Sequence, residues 1–361
     1  MSSTSIKICH YITTISRGGA ENQLLLLVEN QIKSGNQVTV IPLKGGLELY
    51  EDFTNLGAKV ETKLVDKKFI SQIIRMLVTK NRRFDIHHAH LPQAELLLAF
   101  SPIKNYIITR HFGGQFYPDS NKLISRILSR ISSARAKKII AISESVKTLL
   151  IDLKEVSSLE KIKVVPYGFN SKAFVKNYSK KVKENSQSYT VGTLARLSVE
   201  KDLPILIKAF KILQSKDFGK KYILSIFGEG EMRDQIESLI KNLGLEKNVQ
   251  LMGRTMNPAE ELSKFDLFVL PSKFEGFGLV LLEAMAFNIP IIASNISTSK
   301  EVLGEDGAGV FFEQGNENDL ADKILNIKTH LDSSFIEKQK IRLNFFNDTV
   351  MEQRVRQAYE L

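Results

Sequence analysis

The chain has 361 residues, 43% hydrophobic and 25% charged, the make-up of a folded, water-facing protein that is too long for one ordinary core and is expected to form two domains. One cysteine, Cys9, excludes a disulfide framework and favours a reducing, cytoplasmic compartment; no apolar run approaches the ~18 residues that cross a bilayer, and the opening MSSTSIKICHYIT does not read as a secretion signal. The net charge of +10 is concentrated in one half: residues 1–180 hold 27 Lys and Arg against 14 Asp and Glu, whereas residues 181–361 hold 23 against 26.

Ile6–Ile12 is a short apolar strand that leads through Ser16-Arg17-Gly18-Gly19-Ala20-Glu21 into a helix ended by Gly35. The order is strand, glycine loop, helix, but the G-x-G-x-x-G dinucleotide pattern is absent, which disfavours a nicotinamide enzyme. Val38–Ile41 and Ala58–Val60 read as strands, and Phe69–Val78 has the i, i+3, i+4 apolar spacing of a helix. Phe84–His90 runs from a strand into a loop. Its three histidines invite a metal site, but no Cys or carboxylate cluster accompanies them, and strand alternation puts His88 and His90 on one face and His87 on the other. A structural role is expected for them.

Tyr106–Thr109 is a further strand, followed by Arg110-His111-Phe112-Gly113-Gly114. A histidine at the carboxyl end of a parallel strand, ahead of two glycines, is well placed for a ligand crevice. Asn121–Lys138, NKLISRILSRISSARAKK, repeats Leu123, Ile124, Ile127, Leu128 and Ile131 at helical spacing among Lys122, Arg126, Arg130 and Arg135. Such a basic amphipathic helix is either a domain helix with a solvated edge or a peripheral contact for an anionic membrane, the inner face if so; the positive charge of this half favours the second. Nucleic acid is the weakest partner for the charge, because no zinc-ligand spacing and no aromatic-basic RNA motif occurs. Ile139–Ser143 is a strand, with Ser143 capping the next helix. Val164–Asn170, VVPYGFN, is the last strand of the first half and its turn, and the polar stretch 172–188 reads as a linker.

The second half opens with the strand Tyr189–Leu194, then Ala195-Arg196-Leu197-Ser198-Val199-Glu200-Lys201-Asp202, then a helix from Pro204. Two cations on one strand-to-helix turn suit a polyanion: Arg196 can hold phosphate oxygens bidentately and Lys201 acts as a point charge. Strands follow at Ile223–Phe227, before a Gly228-Glu229-Gly230 turn, and at Val249–Gly253, before Arg254. The apolar run Leu267–Leu270 then breaks at Pro271-Ser272. A loop carries Glu275, Gly276, Phe277 and Gly278, and a helix starts at Leu279 and stops before Pro290. A helix N-terminus at the carboxyl end of a strand favours phosphate, and the glycines let a ligand approach the backbone. Carboxylates beside phosphate repel it, so Glu275 and Glu283 need another task; accepting hydrogen bonds from vicinal sugar or ribose hydroxyls is the natural one. Strands at Pro290–Ser294 and Gly309–Phe312, a helix over Asp319–Ile327 and a terminal helix over Asn344–Tyr359 complete the chain.

The run EGFGLVLLE, preceded by Pro271-Ser272 and followed by AMAFNIPIIAS, together with RGGAE, VPYGFN and ARLSVEKD in that order, resembles the retaining glycosyltransferases of GT-B fold called glycosyl transferases group 1. The resemblance implies an α/β, GT-B protein of two doubly wound Rossmann-like domains facing across a cleft. It divides the chain into an acceptor-side domain 1–171, a linker 172–188, a nucleotide-sugar-binding domain 189–343 and a terminal helix 344–361 that returns to the first domain. The implied activity is hexosyl transfer with retention, from a nucleotide-diphosphate sugar (a UDP-sugar favoured) to a hydroxyl of a glycan or lipid-linked acceptor, in cell-surface polysaccharide or glycolipid synthesis. No metal and no cofactor beyond the donor is implied. By the same resemblance Gly18 and Gly19 face acceptor or diphosphate, His111 approaches the donor sugar or nucleophile, Arg196 and Lys201 bind the diphosphate, and Gly253 and Arg254 lie beside the base. Gly276, Phe277, Gly278 and Leu279 form the phosphate-side loop, Glu275 holds sugar hydroxyls and Glu283 the ribose. Ala195, Tyr167 and Asn170 depart from the family's commoner Gly, Asn and Asp, and Ser297–Lys300 stands where glycines are commoner. The alternatives on the same fold are a nucleotide-sugar epimerase and a non-catalytic nucleotide-sugar-binding protein.

Overall fold

The computed structural model describes residues 5–78, 84–112, 116–117, 120–156, 158–178, 188–216, 221–330 and 333–360. The chain divides into two units, Met1–Gly168 with Asp348–Leu361, and Phe169–Asn347. Most of the expected linker, residues 179–187, lies outside the described residues, as do Gly113 and Gly114.

The first unit is built on seven short strands: β1 (Lys7–Ile12), β2 (Gln37–Pro42), β3 (Lys59–Val60), β4 (Ile86–His90), β5 (Ile107–Arg110), β6 (Lys138–Ala141) and β7 (Ile162–Val164). Their order is β3-β2-β1-β4-β5-β6-β7, and each neighbouring pair is parallel. Parallel strands need helical crossovers that cover both faces, so β1 and β4 are almost wholly buried even though they carry His10, His88 and His90. The order reverses direction between β1 and β4, which makes the carboxyl ends of those strands the crevice of this unit. The terminal helix Asp348–Ala358 packs on the first helix, Gly19–Lys33. Asn30 donates to Asp348 at 3.2 Å, and Met351, Val355, Ala358 and Tyr359 join Ile8, Leu27, Ile107 and Ile140 in one apolar cluster.

The helix Lys122–Arg135 turns its apolar stripe outward. Its buried face is Ser125, Ser129, Ser132 and Ser133, while Leu123, Ile124 and Ile127 are about half exposed or more, at 61%, 54% and 48%. The cause is a buried charge network at the end of β5. Arg110 pairs with Glu95 at 2.9 Å and with Glu155 at 3.0 Å, and donates to Ser129 at 2.9 Å and Ser132 at 3.2 Å. Ser129 and Ser132 donate in turn to Glu155 and Glu95. Buried charges must be hydrogen-bonded as well as paired, so this network selects hydroxyls for the inward face and leaves the isoleucines outside.

The second unit has six strands: β8 (Ser188–Leu194), β9 (Lys221–Phe227), β10 (Val249–Gly253), β11 (Leu267–Leu270), β12 (Ile291–Ser294) and β13 (Val310–Phe312). Their order is β10-β9-β8-β11-β12-β13, all parallel, and the direction switches between β8 and β11. Its core is aliphatic and aromatic. The helix Leu203–Lys216 buries Leu203, Ile205, Leu206, Ile207, Ala209, Phe210 and Leu213 against the sheet; full burial of a side chain such as Phe210 contributes about 2–3 kcal/mol. A helix over Phe335–Phe345, without an expected counterpart in the sequence reading, precedes the chain's exit at Asn347.

Candidate active site

The loops after β8 and β11 flank the switch point of the second unit, and the structure brings them into contact. The Lys201 ammonium donates to both carboxylate oxygens of Glu275, at 2.7 and 2.8 Å. Ser272 Oγ donates to Glu275 Oε1 at 2.7 Å, and Thr298 Oγ1 donates to the Glu275 carbonyl at 2.9 Å. Two further links tie the loops: Lys273 pairs with Asp202 at 3.1 Å, and the Lys273 amide donates to the Glu200 carbonyl at 2.8 Å. Glu275, 7% exposed, is thereby held by a cation and a hydroxyl at its carboxylate and by the Thr298 hydroxyl at its carbonyl. An ammonium has three donors, and the glutamate takes two.

Backbone packing explains why the basic turn has its shape. The turn's Leu197 amide donates to the Glu229 carbonyl and the Met232 amide donates to the Leu197 carbonyl, each at 3.0 Å. Gly228 lies beneath it at φ +143°, where a Cβ would come within 1.8 Å of the Ala195 carbonyl oxygen. Only glycine lets the two turns close. Asp202 itself sits in the left-handed region, φ +46°, and turns the chain from Val199–Lys201 into the helix.

At the second loop Gly278 is the N-cap of the helix Leu279–Ala286, with φ +82°. This left-handed cap starts the helix in the loop that follows β11. Gly276 and Leu279 are half-buried beside it. Phe277 turns the other way: its ring is 3% exposed and packs edge-on against Phe346 at 5.4 Å, so its side chain serves packing and only its backbone belongs to the loop. Glu283 is half-buried on the same helix, and burial pushes its carboxyl up to about 7. Arg196 is exposed and touches Glu231 at 3.5 Å. Gly253 ends β10 at φ +73° and Arg254 is exposed after it. Sequence reasoning missed Ser272 and Thr298. Ser272 was in plain view beside Pro271, but nothing in spacing shows that it reaches a carboxylate three residues on.

In the first unit Gly18 caps the helix Gly19–Lys33. Glu21 folds back over it, accepting from Thr14 Oγ1 at 2.9 Å, and a Cβ on Gly18 would meet Glu21 Oε2 at 2.4 Å, whereas Gly19 has open space. His111 is half-buried and both ring nitrogens have partners: Tyr167 OH at 2.7 Å on Nδ1 and His90 Nδ1 at 2.9 Å on Nε2. His90 and His88 share a face as expected, but the cluster they enter includes His10 from the neighbouring strand, whose partner across the sheet is His88. His10, His88 and His90 are buried, and each could offer one nitrogen to a metal ion. Burial pushes His10 down to about 4 and His111 down to about 3, and holds His88 and His90 well below the usual histidine range, so all four are neutral near pH 7.

Two doubly wound parallel units of this kind are those of GT-B proteins. A glycosyltransferase from Rickettsia africae superimposes over 99% of this chain and 98% of that one, with a TM-score of 0.79 at 20% identity. Anabaena Alr3699/HepE, crystallised with UDP, superimposes over 98% and 100%, with a TM-score of 0.79 at 18% identity. Residues 17–172 match the Glycosyltransferase Family 4 model and residues 174–340 the Glycosyl transferases group 1 model. The chain belongs to the group 1 glycosyltransferases. The poly(ribitol-phosphate) alpha-N-acetylglucosaminyltransferase of Staphylococcus aureus is 37% identical over 138 residues, which are 38% of this chain and only 28% of that protein. The capsular polysaccharide biosynthesis glycosyltransferase CapM of Staphylococcus aureus is 26% identical over 303 residues, 79% of this chain and 74% of that one.

Proposed function

We propose that this glycosyltransferase takes a nucleotide-diphosphate sugar, a UDP-sugar by preference, in its second unit and transfers the sugar with retention to a hydroxyl of a glycan or lipid-linked acceptor held by its first unit, in the assembly of a cell-surface polysaccharide or glycolipid. The observation that carries this is the Lys201–Glu275 pair at the β8/β11 switch point, beside the amides that follow Gly278. Cation and helix start supply the fixed positive charge a departing diphosphate needs, a contribution of about 3–4 kcal/mol per donor in preorganised sites. Glu275 accepts from sugar hydroxyls. Glu283 accepts from the ribose, which requires it to release its proton. Arg196, exposed just past the end of β8, closes on a phosphate oxygen. With these cations in place the transfer needs no metal and no cofactor beyond the donor. Retention follows from attack on the face the phosphate leaves, the phosphate taking the acceptor's proton. The activities of the relatives named above support polysaccharide synthesis, and UDP in the Anabaena structure supports the base.

A thermal-shift panel of UDP- and GDP-sugars tests the donor. The expected result is a rise in Tm with a UDP-sugar and slow release of free sugar without acceptor; stabilisation by GDP-sugars alone overturns the choice of base, and stabilisation by neither overturns the reading.

No helix among the described residues is long and apolar enough to cross a membrane. The exposed face of the helix Lys122–Arg135 supports a peripheral contact instead. Leu123, Ile124 and Ile127 stand among exposed Lys122, Arg126 and Arg130, and the helix Phe69–Val78 exposes Ile70, Ile74 and Leu77. Both helices pack on the helix Pro92–Phe100, so they belong to one layer. Apolar side chains ringed by cations suit an anionic bilayer, each cation adding about 1 kcal/mol. Sedimentation with phosphatidylglycerol vesicles at low salt is expected to carry the protein down; equal recovery with phosphatidylcholine vesicles sinks the contact.

A further inference from the structure

The buried histidines of the first unit form one hydrogen-bonded chain. Tyr167 OH meets His111 Nδ1 at 2.7 Å, His111 Nε2 meets His90 Nδ1 at 2.9 Å, and His90 Nε2 meets His10 Nδ1 at 3.0 Å. His10 Nε2 meets Gln31 Oε1 at 2.9 Å, Gln31 Nε2 donates to Tyr359 OH at 3.1 Å, Tyr359 OH meets His88 Nδ1 at 2.9 Å and His88 Nε2 meets Thr109 Oγ1 at 2.7 Å. These groups come from four strands or their exits, the first helix and the end of the terminal helix.

A neutral imidazole has one donor and one acceptor nitrogen, so a single fixed end orients the whole chain. Gln31 is that end. Its amide nitrogen donates to Tyr359 OH at 3.1 Å and its oxygen faces His10 Nε2 at 2.9 Å, where it accepts. His10 therefore carries its proton on Nε2 and accepts at Nδ1. His90 then donates from Nε2 and accepts at Nδ1, and His111 donates from Nε2. The acceptor left over is His111 Nδ1, which takes the Tyr167 hydroxyl proton. The low pKa values of these rings keep a second proton off them. A cavity of about 30 Å³ beside His111 and Tyr167 is walled mainly by apolar side chains, among them Leu24, Ile140, Val165 and Met351; of its polar lining residues, Gln23 donates to the Gly168 carbonyl and Thr109 is paired with His88.

We infer that Gln31, His10 and His90 are positioning residues that hold His111 as its Nε2–H tautomer, so that its Nδ1 accepts a hydrogen bond from a hydroxyl and rejects a phosphate or carbonyl oxygen. Tyr167 supplies that hydroxyl at 2.7 Å. A sugar hydroxyl of donor or acceptor replaces it on binding; that last step rests on the function proposed above, whereas the tautomer does not. The rival use of the cluster is a metal ion on His10, His88 and His90. A metal would have to break into a chain in which both nitrogens of all three rings already have partners, and the uniform direction of the chain speaks for protons.

Long-range nitrogen–proton correlation spectra of the histidine rings in the full chain, near pH 7.5, decide the tautomer. The expected pattern is Nε2–H for His10, His90 and His111. The opposite tautomer, an imidazolium at His111, or loss of the pattern on adding one equivalent of Zn²⁺ with a matching rise in Tm overturns the inference. Turnover is then compared between His90→Asn, whose side-chain oxygen stands near the place of Nδ1, and His90→Leu, using whichever nucleotide sugar gives the largest thermal shift. His90→Asn is expected to keep kcat within a few-fold, while His90→Leu loses about tenfold or more in kcat at similar KM, the scale of one unmade buried hydrogen bond. Equal losses in both variants mean that His90 only fills space, and overturn the positioning role. If no nucleotide sugar binds, the proposed function fails, while the spectra still decide the tautomer.

Discussion

The two sheets follow the same winding rule and solve the burial of polar groups in opposite ways. In the second unit the sheet core is apolar, with Val191, Leu206, Phe210, Leu224 and Val269 at its centre, and Lys201, Glu275 and Ser272 are confined to loops at the strand ends. In the first unit charged and titratable groups penetrate the layers: His10, His88 and His90 on β1 and β4, and the Glu95–Arg110–Glu155 network under the helix Lys122–Arg135. The comparison teaches that one unit keeps its chemistry at an edge, where it can change without cost to the core, while the other binds its chemistry to its stability.

The strongest test of the edge-bound site is Lys201→Ala. Turnover is expected to fall about 10²–10³-fold, as for the loss of one preorganised donor. The same change leaves buried Glu275 without its cation, at a cost of about 1–3 kcal/mol. Lys201→Ala with Glu275→Gln should regain the stability measured by urea unfolding and none of the turnover. If the single variant loses activity only in proportion to its Tm, Lys201 is structural.

For the first unit Arg110→Met leaves two buried carboxylates unpaired and is expected to cost about 3–5 kcal/mol. Adding Glu95→Gln and Glu155→Gln should recover most of it. A cost under about 1 kcal/mol for the single change would show that water reaches the network.

Acid should separate the two units. His10, His88, His90 and His111 have lowered pKa values in the folded chain. The unfolded chain takes up protons below 6.5 that the folded one refuses, so their contribution is complete above 6.5 and is lost as pH falls towards 4 and 3. Glu95, raised to about 7 by burial, and Glu352, raised by burial, act in the opposite sense: their contribution is present below 4.5 and lost as pH rises. Four histidines outweigh two glutamates, so stability falls as pH drops from 6 to 5. Hydrogen exchange, corrected for intrinsic rates, is expected to show β1 and β4 losing protection on going from pH 7 to 5 while β8 and β11 keep theirs. Equal losses in both sheets would contradict the contrast.

The smallest effect belongs to Glu283. Its carboxyl, pushed up to about 7 by burial, must ionise to accept ribose hydroxyls, so UDP-glucose affinity should rise about tenfold from pH 6 to pH 8. Glu283→Gln should flatten that profile; a profile that survives the substitution assigns the proton elsewhere.

Much of the fold was legible in advance because each signal was local. Short apolar runs alternating with helical periods announced parallel sheets, Ser143 did cap its helix by accepting from Val146 at 3.0 Å, and the helix Phe69–Val78 lies where its spacing put it. EGFGLVLLE was equally readable, since strand end, glycine turn and helix start follow one another in the chain. The helix Lys122–Arg135 was legible in extent, but the serines of its inward face were not, because what selects them is Arg110, outside the helix.

The amino-acid order alone determined the two α/β units, the loop-and-helix start around Gly278 and the residue types able to hold a diphosphate, because all of these depend on neighbours a few positions apart. Only the tertiary structure decided that Lys201 grips Glu275, that serines rather than isoleucines face inward, and that His10 joins His90 and His111 in one directed chain. Those contacts link residues 74, 19 and 80 positions apart, and strand register, which no local pattern encodes, is what aligns them.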